Sequence, residues 1–267
     1  MVEVSSENAE LLLQMFAKDG GEGLNTSLAI ALSQMAAELG RDELITPLLM
    51  HAKEVAEDEE DRNWCRFELM KSGDSNLDEL MQLGLEAETE NQPKLAAAVF
   101  HHLALLQMGD DLESAEISAN RAMRLRTELE DSTGLIYGHA LIAAIAKAQQ
   151  DWETAQTHLR KRLDMIAEEE KSQRMEAMAD LAHAHATIGE LQEAQNLMIE
   201  SLEIAEEIDS LNGILVARWG LADLAEISEN PDEAMVQLSD IMTTYMSFNT
   251  EVPAIVLKRL NMLTNSQ

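Results

Sequence analysis

Seven histidines, one cysteine and two runs of carboxylates are the side chains that could do chemistry here. His101 and His102 are adjacent, so a helix sends them to different faces. His183 and His185 are two apart, roughly 200° around a helix. Zinc takes ligands at i and i+4 of one face, or from several elements. Neither pair has that spacing, and His185 falls on an apolar face, which reads as a packed core histidine. The acidic runs are residues 57–61 (EDEED) and 168–170 (EEE). Paired carboxylates do acid–base work only where burial drives their pKa values apart. Between helical segments they read as solvated surface and helix N-terminal charge. Neither run has the alternating loop and closing glutamate of a calcium-binding EF-hand.

The sequence contains no Gly-rich phosphate loop, no Gly-x-Ser-x-Gly elbow and no His-Glu-x-x-His motif. Cys65 is the only cysteine, so no intrachain disulfide forms. Its flanks (NWCRFEL) read as a helix face, and the expectation is a buried, inert thiol in a reducing compartment. These residues point to a non-enzymatic protein with no metal and no cofactor.

Composition narrows the class further. The chain has 267 residues with 50 acidic and 19 basic side chains, for a net charge of −31. Phosphate binding needs clustered Lys and Arg, so this balance argues against nucleic acid and anionic membrane as partners. The charge serves solubility, salt tolerance or a basic partner. Hydrophobic residues make up 46%, yet aromatics are only 3%, with 12 Gly and 4 Pro. Ala, Leu, Met and Glu dominate, and these are helix formers. The N-terminal stretch MVEVSSENAELLLQMF has no basic region before its apolar run and is not a secretory signal. No apolar stretch approaches the roughly 20 residues that span a bilayer. A cytoplasmic location is expected.

What must position any site is a repeat. Ala115, Ala155, Ala194 and Ala234 each follow an acidic turn, at intervals of 40, 39 and 40. Leu80 and Ile45 occupy the same role in looser copies upstream, 35 apart. Before Ala194, Met178, Leu181, Ala182 and His185 recur on one helical face. After it, Leu197, Met198, Ser201, Leu202 and Ala205 form a second. Gly189 supplies the left-handed turn between them. In the next copy Asn230 caps and Pro231 fits the first helical position. The unit is helix, short turn, helix, longer turn. Ordering about 40 residues costs more than one such pair recovers by burial, so each unit needs a neighbour.

These residues resemble the tetratricopeptide repeat. The unit with Met178, Leu181, Ala182, His185, Gly189, Ala194, Met198 and Ser201 fits its pattern. So does the unit with His139, Ile142, Ala143, Ala146, Ala155, Leu159 and Arg162, where Gln150 stands in the usual glycine place. The last fits with Arg218, Leu221, Ala222, Ala225, Ala234, Leu238 and Ile241, and Glu229 there. Upstream, Trp64 and Phe67 fit the helix A start of an irregular copy, and Leu32, Gly40, Ile45, Leu49 and Ala52 fit the first. The resemblance implies an all-α superhelix of about six hairpins and fourteen helices in one elongated domain. A capping helix is expected over residues 1–23, capped by Ser5 or Ser6 and closed by Gly20 and Gly21. Irregular repeats follow over 24–95, then well-matched repeats over 96–246. A terminal helix, with Thr250 as its cap, is expected over 247–267.

In that fold the first helix of each hairpin lines the inner wall. The resemblance therefore assigns a groove to Arg62, Cys65, Arg66, Phe100, Leu103, Tyr137, Ala140, Ala144, Lys147, Asp180, His183, Trp219 and Asp223. Tyr137 and Trp219 read either as partner anchors or as packing between repeats. Lys147 is alone where paired Lys and Asn would grip an acidic chaperone tail. Most of the 16 methionines, such as Met123, Met165, Met178 and Met198, read as core. The functional expectation is a scaffold that binds a protein or peptide with apolar anchors and basic flanks. A sensor module for a small molecule or peptide, and a self-assembling scaffold forming homo-oligomers, are the alternatives.

Overall fold

The computed structural model describes residues 6–73 and 76–265, and none of these lies in a β-strand. The chain divides into two compact units, Met1–Asp131 and Ser132–Gln267. In the first unit the helices are α1 (Ser6–Asp19), α2 (Thr26–Glu38), α3 (Ile45–Val55), α4 (Glu59–Lys71), α5 (Leu77–Thr89), α6 (Pro93–Gln107) and α7 (Leu112–Glu128). A short 3-10 turn, Asp42–Leu44, precedes α3. In the second they are α8 (Ser132–Ala148), α9 (Trp152–Met165), α10 (Lys171–Thr187), α11 (Leu191–Glu207), α12 (Leu211–Ile227), α13 (Pro231–Ser247) and α14 (Ala254–Asn265). Within each unit every helix packs on its chain neighbours, and α2 also meets α4, α4 meets α6 and α10 meets α12. This is the pattern of stacked hairpins, with the first helices of successive hairpins side by side.

The helices start and stop where local chemistry dictates. Asn25, Asp58, Asn76, Asp111, Asp151, Ser210 and Asn230 each accept a backbone N–H from the first turn they precede. Pro93 and Pro231 open α6 and α13, where a missing N–H costs nothing. The ends share one device. Asp151 N–H donates to the carbonyl of Ala146 at 2.8 Å, Glu190 N–H to His185 at 2.9 Å and Asn230 N–H to Ala225 at 2.8 Å. The residue before each donor adopts a left-handed backbone: Gln150 (φ 63°), Gly189 (φ 86°) and Glu229 (φ 56°). This is a Schellman closure. Gly40, Asn91, Glu130, Asp209 and Asn249 repeat it.

The interval of about forty residues marks burial. Ala115, Ala155, Ala194 and Ala234 are all fully buried where the two helices of a hairpin meet. Leu80 is fully buried too. Ile45 is only partly buried, because the 3-10 turn shifts the register and puts Leu44, Leu48 and Leu49 inward. Met178 and Met198 are core, whereas Met165, at the end of α9, is 37% exposed. Helix α1 ends at Gly20 and Gly21, both left-handed. Its expected caps fall at Ser5, outside the described residues, and at Ser6, whose side chain also lies outside them. Thr250 does not cap α14. It closes α13 through its N–H on the Tyr245 carbonyl at 3.0 Å, and α14 begins four residues later, behind Pro253. Among the described residues no helix is long and apolar enough to cross a membrane.

A left-handed backbone disfavours a side chain with a Cβ, so Gln150, Asp209 and Glu229 hold latent instability. Replacing each by Gly is expected to stabilise the fold by about 0.5–1 kcal/mol, and Gly189→Ala to destabilise it by a similar amount. Thermal unfolding checks this. Lower melting temperatures for all three glycine variants would contradict the turn geometry.

Candidate functional site

The first hairpin helices of the Met1–Asp131 unit enclose a cleft of about 780 Å³. Helix α4 supplies its middle, with Asp58, Glu60, Asp61, Trp64 and Glu68. Helix α2 gives a mostly neutral side of Ser27, Ile30, Ala31 and Gln34. Lys94, Ala97 and Ala98 of α6, with Arg126, Leu129 and Asp131 at the end of α7, give the other.

The orientation of α4 decides what faces the cleft. Cys65 is fully buried against Ala29 and Ala52, and burial pushes its thiol up to about 11. Arg66 turns to Glu86 on α5 at 2.8 Å. Asn63 is buried and donates to Glu90 and Gln92 in the α5–α6 turn, both at 3.1 Å. With these three positions committed, Asp61, Trp64 and Glu68 form the remaining stripe, one helical turn apart. Trp64 is half-buried and sits edge-on to Phe67 at 6.1 Å. Glu68 accepts from Lys71 at 2.9 Å and lies 3.5 Å from Gln34. Asp58 caps α4 by accepting the Asp61 N–H at 2.8 Å.

On the opposite wall Arg126 is 8% exposed and lies 3.1 Å from Nδ1 of His101. Burial lowers the Arg126 pKa. Burial first, and then the Arg126 charge, lowers the His101 pKa to about 4, so this histidine is neutral at pH 7 and accepts from the guanidinium.

The expected groove residues do not all meet in one place. Phe100 and Leu103 are fully buried and belong to the core, a correction with a clear cause. The Phe100 ring fills the space over Gly84, where even a Cβ would come within 2.8 Å of it. Ala97 and Ala98 hold the cleft position on α6 instead. Arg62 is exposed and bonds Glu59 one turn back, and neither it nor Arg66 lines the cleft. The other residues lie in the Ser132–Gln267 unit. Tyr137 is 54% exposed on α8, with Ala140 and Ala144 half-buried along the same helix. Asp180 bonds Arg162 at 2.7 Å and lies 3.8 Å from Lys147. His183 is exposed and edge-on to Trp152 at 6.0 Å. Trp219 is half-buried beneath the Arg259 guanidinium at 5.1 Å, and Asp223 pairs with that arginine at 2.7 Å.

Residues 57–61 are expected as solvated surface and helix N-terminal charge, and Glu59–Asp61 do form the first turn of α4, with Asp58 as its cap. What the sequence does not show is that this acidic run rims a cleft. His185 is buried, yet it is not packed in a purely apolar setting. Its Nδ1 lies 2.5 Å from Glu190, and Gln156 and Arg160 reach the ring at 2.8 and 3.2 Å. These groups line a larger but shallower hollow of about 980 Å³. Its walls are polar and tied to one another, whereas the α2–α4–α6 cleft also carries the half-buried indole of Trp64 and is the candidate site. Among the described residues no three His, Cys, Asp or Glu side chains converge to hold a metal ion.

No protein-family model matches the chain, and no curated protein matches it. Solved structures do. The apo form of RapI is 14% identical with a TM-score of 0.76, over 91% of this chain and 71% of that one. A Rap protein complexed with Competence and Sporulation Factor is 14% identical with a TM-score of 0.65, over 98% and 81%. The C-terminal part of a TPR repeat-containing protein from Cytophaga hutchinsonii is 11% identical with a TM-score of 0.58, over 96% and 94%. At these identities the likeness is one of fold. The chain is an all-α protein of tetratricopeptide-like helical repeats.

Both units carry a histidine whose pKa falls well below its ordinary 6.5. His101 drops to about 4, and so does His139, chiefly by burial and then by the neighbouring His158 and Lys161. The unfolded chain takes up these protons near pH 6.5, whereas the fold resists them until about pH 4. Stability from this source is complete above pH 6.5 and is lost as pH falls toward 4. Melting temperature is expected to fall across that window, and His101→Gln with His139→Gln to flatten the slope. A melting temperature constant from pH 7 to 5 would contradict the assignment.

Proposed function

We propose that this chain is a non-enzymatic interaction scaffold that holds a segment of another protein, or a peptide, in the α2–α4–α6 cleft. The observation that carries the reading is the α4 stripe: a half-buried indole between carboxylates, in a cleft whose other walls include the small side chains of Ala31, Ala97 and Ala98. Small side chains leave room for a ligand group, and an indole with one accessible face is an effective anchor for an apolar side chain. The volume lies within the range of preformed ligand clefts. A related fold that is complexed with Competence and Sporulation Factor, the Rap protein above, lends support by analogy. The partner is a protein or peptide. Nucleic acid and membrane are disfavoured by the net charge of −31.

A second reading rests on Tyr137. Its exposed ring, with Ala140 and Ala144 along α8 and Lys147, Asp180 and His183 beyond, gives a second face on which a partner could anchor. Trp219 and Asp223 are committed to Arg259 and contribute less.

Capture experiments from the native cell separate the two readings. The unaltered chain, Trp64→Ala and the double variant Tyr137→Ala, Trp219→Ala are compared as baits. The main reading expects a specific partner to be lost with Trp64→Ala, by about 30-fold in affinity, and retained by the double variant. Loss by the double variant alone moves the site to α8. Equal recovery by all three baits rejects both.

A further inference from the structure

Resting on the cleft reading above, we infer that the occupant is a basic segment of a different protein, in which an apolar side chain stands between lysines or arginines. Charge complementarity argues for this pattern. On α4, Asp61 precedes Trp64 by three residues and Glu68 follows it by four, so one carboxylate lies about one turn to each side of the indole; Asp61 is the more open of the two, while Glu68 is 8% exposed and already accepts from Lys71 at 2.9 Å. An apolar side chain seated on Trp64 leaves its neighbours opposite these carboxylates. The sides nearest the indole are small, with Ala31 on α2 and Ala98 on α6; the cleft's basic residues are Lys94, one turn before Ala98, and the buried Arg126 beside His101. Asp58 and Glu60 extend the negative rim at the start of α4, where they also oppose the positive end of the helix dipole.

The partner is foreign for a reason of charge. A second copy of this chain would bring another net −31 toward an acidic rim. The basic side chains that such a copy could offer are largely engaged at home. Arg62, Arg66, Arg124, Arg162, Arg218 and Arg259 all sit within 3.0 Å of a carboxylate of their own chain.

The test pans a randomised peptide library against the full chain, with Trp64→Ala and the double variant Asp61→Asn, Glu68→Gln as counter-baits, all first checked for cooperative melting. The double variant keeps the shape of the cleft and removes the two carboxylates that flank the indole, leaving Asp58, Glu60 and Asp131 in place. We expect enriched peptides that need Trp64 and place Lys or Arg on both sides of an apolar residue. They should bind the double variant about tenfold more weakly, and lose affinity as salt is raised. Peptides that need Trp64 but lack the basic flanks, or that bind the double variant equally well, overturn the inference and leave the cleft reading intact. Peptides that ignore Trp64→Ala, or no enrichment at all, overturn both. Dimerisation of the chain that Trp64→Ala abolishes makes a second copy the occupant and also overturns the inference.

Discussion

A backbone N–H that reaches five residues back to close α2, α5, α7, α8 and α10 to α13 is the interaction on which the rest depends. In Asp151, Ser210 and Asn230 the residue that donates this bond also caps the next helix with its side chain. One residue therefore ends one helix and starts another, which leaves the turn almost no freedom. Fixed turns fix the crossing of the two helices, and the fully buried alanines set how closely they approach. Once hairpins are alike, neighbours stack with first helices side by side. A wall of first helices follows from the turn chemistry and is not an additional design.

The cleft inherits its character from that constraint. Helix α4 cannot rotate to suit a ligand, because Asn63, Cys65 and Arg66 are held by the α5–α6 turn, by the core and by α5. The stripe left over is acidic and carries a tryptophan. In the proposed reading, recognition is a residue of packing: the side chains that the core and the partner helix do not use are the ones offered to a ligand. The neutral His101 beside Arg126 belongs to the same logic, since a second positive charge would be costly in that wall.

The architecture was legible in the sequence because the repeat is written in small residues and turns, and both act locally. Ala155, Ala194 and Ala234 announced their burial through spacing alone. Gly189 announced its turn, and even Gln150 and Glu229 could be placed by register. The inner wall was harder. Its assignment needs the rotation of each helix to within about one residue, and periodicity in an alanine-rich helix leaves that open. Phe100 and Leu103 were read as wall because large apolar residues on a first helix suit either role. The space over Gly84, which only the folded pairing of α5 and α6 creates, decides for the core. Trp64 fits the start of a first helix in the sequence without being assigned to the wall, and Arg66 reads as wall because its partner Glu86 lies on another helix.

Hydrogen exchange on the full chain, with and without a bound peptide selected for its dependence on Trp64, tests the account most directly. Occupation of the cleft predicts slowed exchange in backbone amides of residues 27–34, 58–68 and 94–98, with little change across α8, α10 and α12. Protection centred on α8 around Tyr137, with residues 58–68 unchanged, would contradict it.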